Sequence, residues 1–516
     1  MNNLFIVTIY LLFLIGFYYF SNSKTSFKAK TNWWTNGLSL FAVNFSISTP
    51  LLISGIYHNE GIGGLWILWS GYLVSGFAPF VFAPLWAKLN FITDNQFITF
   101  RFSGKSAKIL HQFRAIYVGF FIVAFLICFQ TLSILKVLSL YTQWSKETIF
   151  TILTILLILI AFKNQLNINL KLDKLHIYFI LIIFLITAVN LYQIGLGHQE
   201  SIILLSKNTP NLNSIFPKNS SYLYILFFVQ TWSVQLFDGS GVDAQRYFSQ
   251  KDKKSVWKIA LLNTSLHLIF NILIVIILLY GSAKFPILNL EDKEIYIISY
   301  LQKSAGWLNP LLLIAFIACF ISSFTGLLNW GASFLSIDIY KTYIKKNSTN
   351  KQQNYIAIIA SVLITLVSVI FTYYIDSLEM LVKLLFSISA GVFPVFVLRW
   401  FWFKINAWSQ ISAMLSSAIF TLYYKNFIVN SNFKTNICLA FNLNDYSFQL
   451  LFVTVLTTFT WVLVTFLTKK DNHNTIKNFK KNVLTDFNIK QSVFYALLFG
   501  VCITLLFISI LHLILN

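Results

Sequence analysis

FIACFISSFTGLLNWGASFLSIDIY, residues 316–340, is the stretch whose reading decides the fold of this 516-residue chain. Apolar sequence long enough to cross a bilayer flanks it, yet its middle carries Ser322, Ser323, Thr325 and Asn329, with Gly326 and Gly331 among them. A hydroxyl pair at membrane depth has two physical uses. Small and hydroxylated residues let membrane helices approach closely and hydrogen-bond across the contact. Adjacent hydroxyls plus a backbone carbonyl also offer hard oxygen ligands to a cation without burying a negative charge. On this stretch alone, packing is the simpler reading.

The surrounding sequence extends the same pattern. With 57% hydrophobic and only 11% charged residues, the chain has too little polar surface to cover a soluble globule. Its apolar runs are too long for barrel strands and lack their period of two, so the fold class is an all-α polytopic membrane protein. About fourteen spans are predicted, near 4–20, 37–56, 65–86, 113–142, 147–163, 174–194, 222–238, 255–281, 306–336, 354–374, 381–404, 407–424, 446–468 and 491–514. The first span has no side-chain positive charge before it, whereas Lys24, Lys28 and Lys30 follow it, which is not the pattern of a cleaved signal.

The net charge of +21 raises the question of an acidic partner. Assigning alternate loops to the two sides puts roughly 28 of the 38 Lys and Arg on one side, the positive-inside asymmetry. Lys88, Arg101, Lys105, Lys108 and Arg114, then Lys251, Lys253, Lys254 and Lys258, then Lys469 to Lys490, make up most of that set. The charge reads as topology in a cell membrane, with both termini expected outside and no nucleic acid implied. Cys128, Cys319, Cys438 and Cys502 are scattered and fit neither a disulfide framework nor a zinc spacing.

Four regions carry polar chemistry. In the second span, Leu38 to Phe45 meets Ser46, Ser48, Thr49 and Pro50 before apolar helix resumes. Proline at that depth removes a backbone donor, and the freed carbonyls must face protein or an ion. A broken helix is a pointer to a transporter binding site, and a packed proline kink is the alternative. The seventh span ends in Gln230, Trp232, Gln235 and Asp238, and glycines follow directly, so it too is expected to unwind. Asp238 either pairs or faces water at the membrane, or caps a helix in the basic loop. In the eighth span Asn263, His267 and Asn271 share one face, where interhelical hydrogen bonds account for all three and a proton-carrying His267 is the second possibility. The eleventh span has Lys383 near its outer end and Ser387, Ser389 and Gly391 deeper in.

NWWTNGLSL, the interrupted STPLLISG, TDNQFITFRFSGKSA, HQFRAIY, DGSGVDAQRYFSQKD, LLNTSLH, SSFTGLLNWGASFLSIDIYKTYI and VLRWFWFKINAWSQISAM follow one another from Asn32 to Met414. In this order they resemble the sodium:solute symporter family, in particular a bacterial branch without an assigned substrate. The resemblance implies a leucine-transporter-like fold of two inverted five-helix repeats with broken first helices. It divides the chain into residues 1–30, a peripheral helix and linker; 31–404, the core, with repeats 31–200 and 220–404; and 405–516, peripheral helices. It also implies a sodium site from the carbonyls of Ala42, Phe45 and Cys319 and the hydroxyls of Ser322 and Ser323. The solute would lie near Asn44, Ser48, Thr49, Gln130, Trp232, Gln235 and Ser387, with Asp238 and His267 as candidate gating or charge residues.

Three departures narrow this. Branch relatives carry an acid where this chain has Ser48, and an acid and a histidine where it has Thr325 and Leu327. Many members carry a Thr-Asp pair where this chain reads LDKLHIYF. The expectation is a monomeric symporter in the lipid bilayer. It would import a small polar solute, such as a sugar or amino acid, with one co-transported sodium (Na+) and no organic cofactor. A non-transporting sensor and a proton-coupled carrier are the alternatives. A membrane enzyme is disfavoured because His58, His111, His176, His198, His267, His473 and His512 show no pairing with acids along the sequence.

Overall fold

The computed structural model describes residues 10, 12–14, 16–17, 30–142, 144–163, 166–194, 214–285 and 291–515. The first expected span, 4–20, and His198 lie largely or wholly outside them. The described residues form helices and no named strands, with one isolated bridge from Thr31 to Gln250.

In chain order the helices that build the bundle are α1 (Trp33–Asn44), α2 (Ser48–Gly64), α3 (Trp66–Ala87), α4 (Gly104–Tyr141), α5 (Lys146–Lys163) and α6 (Leu166–Ile194). They continue as α7 (220–233), α8 (Val242–Phe248), α9 (Val256–Lys284), α10 (Tyr296–Ala305) and α11 (Asn309–Ser333), which runs on through a wider turn at Phe334–Ile344. The last are α12 (Asn350–Tyr374), α13 (Leu378–Ser389), α14 (Phe393–Leu398), α15 (Ala407–Tyr423), α16 (Asp445–Leu467) and α17 (Ile489–Leu515). Among the described residues eight helices are long and apolar enough to cross a membrane, or nine if the bent pair α1 and α2 counts as one span.

Burial ranks these helices. In the span containing α11, 94% of the apolar window is enclosed by protein, against 28% for α16 and α17. The opening stretch is therefore the centre of the bundle, and the last two helices are its rim.

Three breaks interrupt the inner helices, each with a local cause. Asn32 caps α1 by accepting from the Thr35 amide, and α1 ends where Phe45 turns extended (φ −93°, ψ 105°). Pro50 then falls in the first turn of α2, where a missing N–H leaves no bond unmade. Proline here starts a helix at 47° to its predecessor, the broken helix of the sequence reading rather than its alternative, a packed kink. The second break, between Ser233 and Val242, is the expected unwinding, and Gly241 supplies the positive φ of 77° at the start of α8. The third was not expected: the span read as 381–404 stops at Ser389, and Gly391 at φ 78° turns the chain into α14.

Buried ion pairs tie the loops at the basic end. Arg399 meets Asp238 at 3.0 Å, Arg114 meets Asp94 at 2.5 Å, and Arg101 lies 3.6 Å from Asp471. At the other end Lys383 bridges Glu379 at 2.7 Å and Glu60 at 3.3 Å, and Lys136 bridges Asp292 and Glu294.

Candidate functional site

The break after α1 packs directly on α11. Gly326 makes this possible, because a Cβ there would sit 2.2 Å from Val43 Cγ2. With the helices this close, Ser323 Oγ donates to Ala42 O and to Cys319 O, each at 3.1 Å. One hydroxyl and two carbonyls thus converge in a buried place, an all-oxygen set suited to a hard monovalent cation. Phe45, the fourth expected ligand, is the residue at which α1 ends and is fully buried.

Ser322, the fifth, is turned to α6. Its Oγ lies 2.8 Å from His176 Nδ1, and His176 Nε2 lies 2.9 Å from the Tyr10 hydroxyl. When Tyr10 donates to Nε2, the proton sits on Nδ1 and is donated to Ser322 Oγ. The serine then keeps a lone pair for a cation. Three residues before His176 on the same helix face, Asp173 accepts from Ser39 Oγ at 2.6 Å, while its other oxygen is buried without a partner. Ser39 Oγ also accepts from Arg246 Nη2 at 3.3 Å. The sequence reading passed over Asp173, His176 and Arg246. Their i, i+3 spacing on α6 was visible in LDKLHIYF, but the partners lie on α1, α8 and α11.

The residues expected near the solute separate into groups. Asn44, exposed although its neighbours are buried, donates from Nδ2 to Asp243 Oδ1 at 3.4 Å, so the first and second breaks face each other. Ser48 donates to Gln130 Oε1 at 3.1 Å and is hydrogen-bonded to Ser46, joining α2 to α4. Thr49 is half-buried in the first turn of α2, with its amide on Ser46 O. Trp232 packs edge-on against Phe77 and Phe237. Gln235 lines a cavity of about 330 Å³ together with Ser240, Gly241, Arg114, Tyr117, Trp330, Phe386, Ser389 and Phe393. Ser387 is fully buried and donates to Lys383 O within its own helix; the serine of α13 that reaches the cavity is Ser389.

Asp238 is fully buried, paired with Arg399, and accepts from the Ser240 amide. His267 Nδ1 lies 2.9 Å from Asn263 O, and its ring packs edge-on against Phe41 and Phe45, behind the first break. One histidine does pair with an acid, contrary to the sequence reading: His111 Nε2 lies 3.4 Å from Asp338 Oδ1, which also accepts from Thr93 Oγ1 at 2.8 Å. The two are 227 positions apart (338 − 111), beyond any local pattern. Outside the spans, burial raises the Asp471 carboxyl above its usual range and lowers the Arg101 guanidinium to about 10. Desolvation outweighs their mutual attraction in both cases.

Discontinuous helices whose breaks meet at oxygen-lined positions inside a helical bundle define a membrane transporter. The chain belongs to the sodium:solute symporter family, whose family model matches residues 28–417. A search of curated proteins returned no match. Among solved structures, the fold is similar to the substrate-bound outward-open state of a Na+-coupled sialic acid symporter. The TM-score is 0.72 at 16% identity, covering 92% of this chain and 98% of that one. It is also similar to Mhp1, a nucleobase-cation-symport-1 family transporter in a closed conformation with bromovinylhydantoin bound, with TM-score 0.50, 12% identity and coverage of 89% and 98%. Membership of this family assigns the chain to sodium:solute symport, and the two structures share its fold.

Proposed function

We propose that the protein is a sodium-coupled symporter that imports a small polar organic solute by alternating access, with one sodium per cycle. The observation that carries this reading is the contact of Ser323 with the carbonyls of Ala42 and Cys319. It supports a cation held by Ala42, Phe45, Cys319, Ser322 and Ser323, with Asp173 supplying negative charge from behind the serines. The solute occupies the junction of the two breaks, beside Asn44 and Asp243, and the cavity lined by Gln235 and Ser389.

In this reading the core, 31–404, consists of two inverted repeats, 31–200 and 220–404, within a bundle of about fourteen spans that works as a monomer. The basic end faces the cytoplasm and both termini face outward. The ion pairs at each end act as gates, and opening one face requires breaking one set while the other holds. At about 100 mV and a tenfold gradient, one sodium supplies about 2.3 plus 1.4 kcal/mol, enough for several-hundred-fold accumulation of a neutral solute.

The test is a thermal-unfolding screen of small solutes on the purified full chain, with and without sodium. Ligands that share a cycle stabilise one another. A solute whose binding is strengthened by sodium, followed by its sodium-driven accumulation in proteoliposomes, supports the reading. Binding without accumulation identifies a sensor instead.

A further inference from the structure

We infer that Asp243 is the solute-selecting residue of this transporter, and that it selects a neutral, hydroxyl-bearing solute over a carboxylate or an ammonium. The inference rests on the symport reading and adds the substrate class. It starts from the position of Asp243, the second residue of α8 after the second break, with its Oδ1 against the exposed Asn44 amide where the first break begins. A carboxylate there accepts hydrogen bonds only, so its natural partner is a donor such as a hydroxyl.

The charge sum of the region decides between donors. Asp173, Asp243 and Arg246 occupy the region between the two breaks and α6. None of the three makes an ion pair within 4.0 Å among the described residues. Arg246 spends its donors on Gln245 Oε1 and Ser39 Oγ, its Nε and one oxygen of Asp173 have no hydrogen-bond partner, and its charge acts on both carboxylates. The other acids nearby are neutralised: Asp238 by Arg399 and Asp94 by Arg114. Two carboxylates and one guanidinium leave one negative charge, and a single sodium cancels it. With sodium bound, a neutral solute keeps the region balanced, whereas an ammonium adds a buried positive charge and a carboxylate a negative one, each costly away from water. The cavity lined by Ser240 and Gly241, just before Asp243 in the chain, agrees with this: its walls are mostly apolar and aromatic, and its one charged lining residue, Arg114, is held by Asp94.

The experiment is thermal unfolding of the purified full chain, in wild type, Asp243→Asn and Asp243→Glu. Sodium is titrated at constant ionic strength, and each protein is then challenged with neutral hexoses and polyols, the matching uronic acids and the matching amino sugars. Asp243→Asn removes the excess charge and is expected to weaken sodium stabilisation several-fold, with Asp243→Glu restoring it. Neutral polyols are expected to outrank their uronic acids at least tenfold in wild type and to lose that lead in Asp243→Asn. A sodium titration unchanged in Asp243→Asn overturns the charge sharing. Stabilisation of wild type by a uronic acid as strong as by its sugar, or by an amino sugar that competes with sodium, overturns the substrate class. A wild-type protein indifferent to sodium contradicts the symport reading itself, so the two failures are distinguishable.

Discussion

Ser322 and Ser323 are sequence neighbours on α11 with opposite attachments, one to His176 on α6 and the other to Ala42 on α1. A hydroxyl pair read from sequence predicts oxygen ligands but not which helix each will face, because α6 and α1 are brought to it only by the fold. Replacing both by alanine leaves the helix intact and is expected to abolish sodium-dependent stabilisation, since two of five oxygens disappear. His176→Phe keeps the ring volume but removes the hydrogen bond that orients Ser322, and is expected to weaken sodium binding about tenfold, measured by the same titration. At the basic end Asp238→Ala leaves Arg399 buried without its partner. That change is expected to cost about 3–5 kcal/mol of stability, seen as a lowered unfolding temperature, far more than a surface charge deletion. Asp173 shows the limit of reading residues one by one. The comparison with a Thr-Asp pair counted LDKLHIYF among the regions that depart from the family by missing acids, whereas a carboxylate, Asp173, is present there and bonded to Ser39.

At the scale of elements, the breaks were the most legible feature. Serines and a proline inside an apolar run, and glycines after a polar one, mark backbone that cannot stay helical without partners. The sequence reading missed the third break, although Ser387, Ser389, Gly391 and Pro394 carry the same signal, because it weighed those serines as packing residues of one continuous span. Its placement of Ser387 near the solute came from the family resemblance; Ser387 bonds within its own helix, and the serine beside the turn at Gly391, Ser389, is the one at the cavity. The approach of α1 to α11 depends on Gly326. Gly326→Ala drives a Cβ into Val43 and is expected to cost about 1–3 kcal/mol and to reduce sodium affinity by separating Ser323 from Ala42. Val43→Ala in the same chain removes the clash and is expected to recover much of both losses; no recovery would assign the effect to α11 alone.

For the whole molecule, the membrane class and the family were accessible from apolar run length, charge asymmetry and the order of eight motifs. The ion pairs at the two ends were not, because Asp238 with Arg399 at one and Lys383 with Glu60 at the other are separated by 161 and 323 positions. Sodium dependence of solute uptake in proteoliposomes is expected to give a Hill coefficient near one; a coefficient near two would require a second cation site. The measurement that bears most directly on the account is the unfolding temperature of the purified protein titrated with sodium, and separately with potassium, at constant ionic strength. The account predicts saturable, single-site stabilisation by sodium, little by potassium, and a flat response in the folded Ser322→Ala, Ser323→Ala double variant. Equal stabilisation by both ions, or an unchanged sodium curve in the double variant, would contradict it.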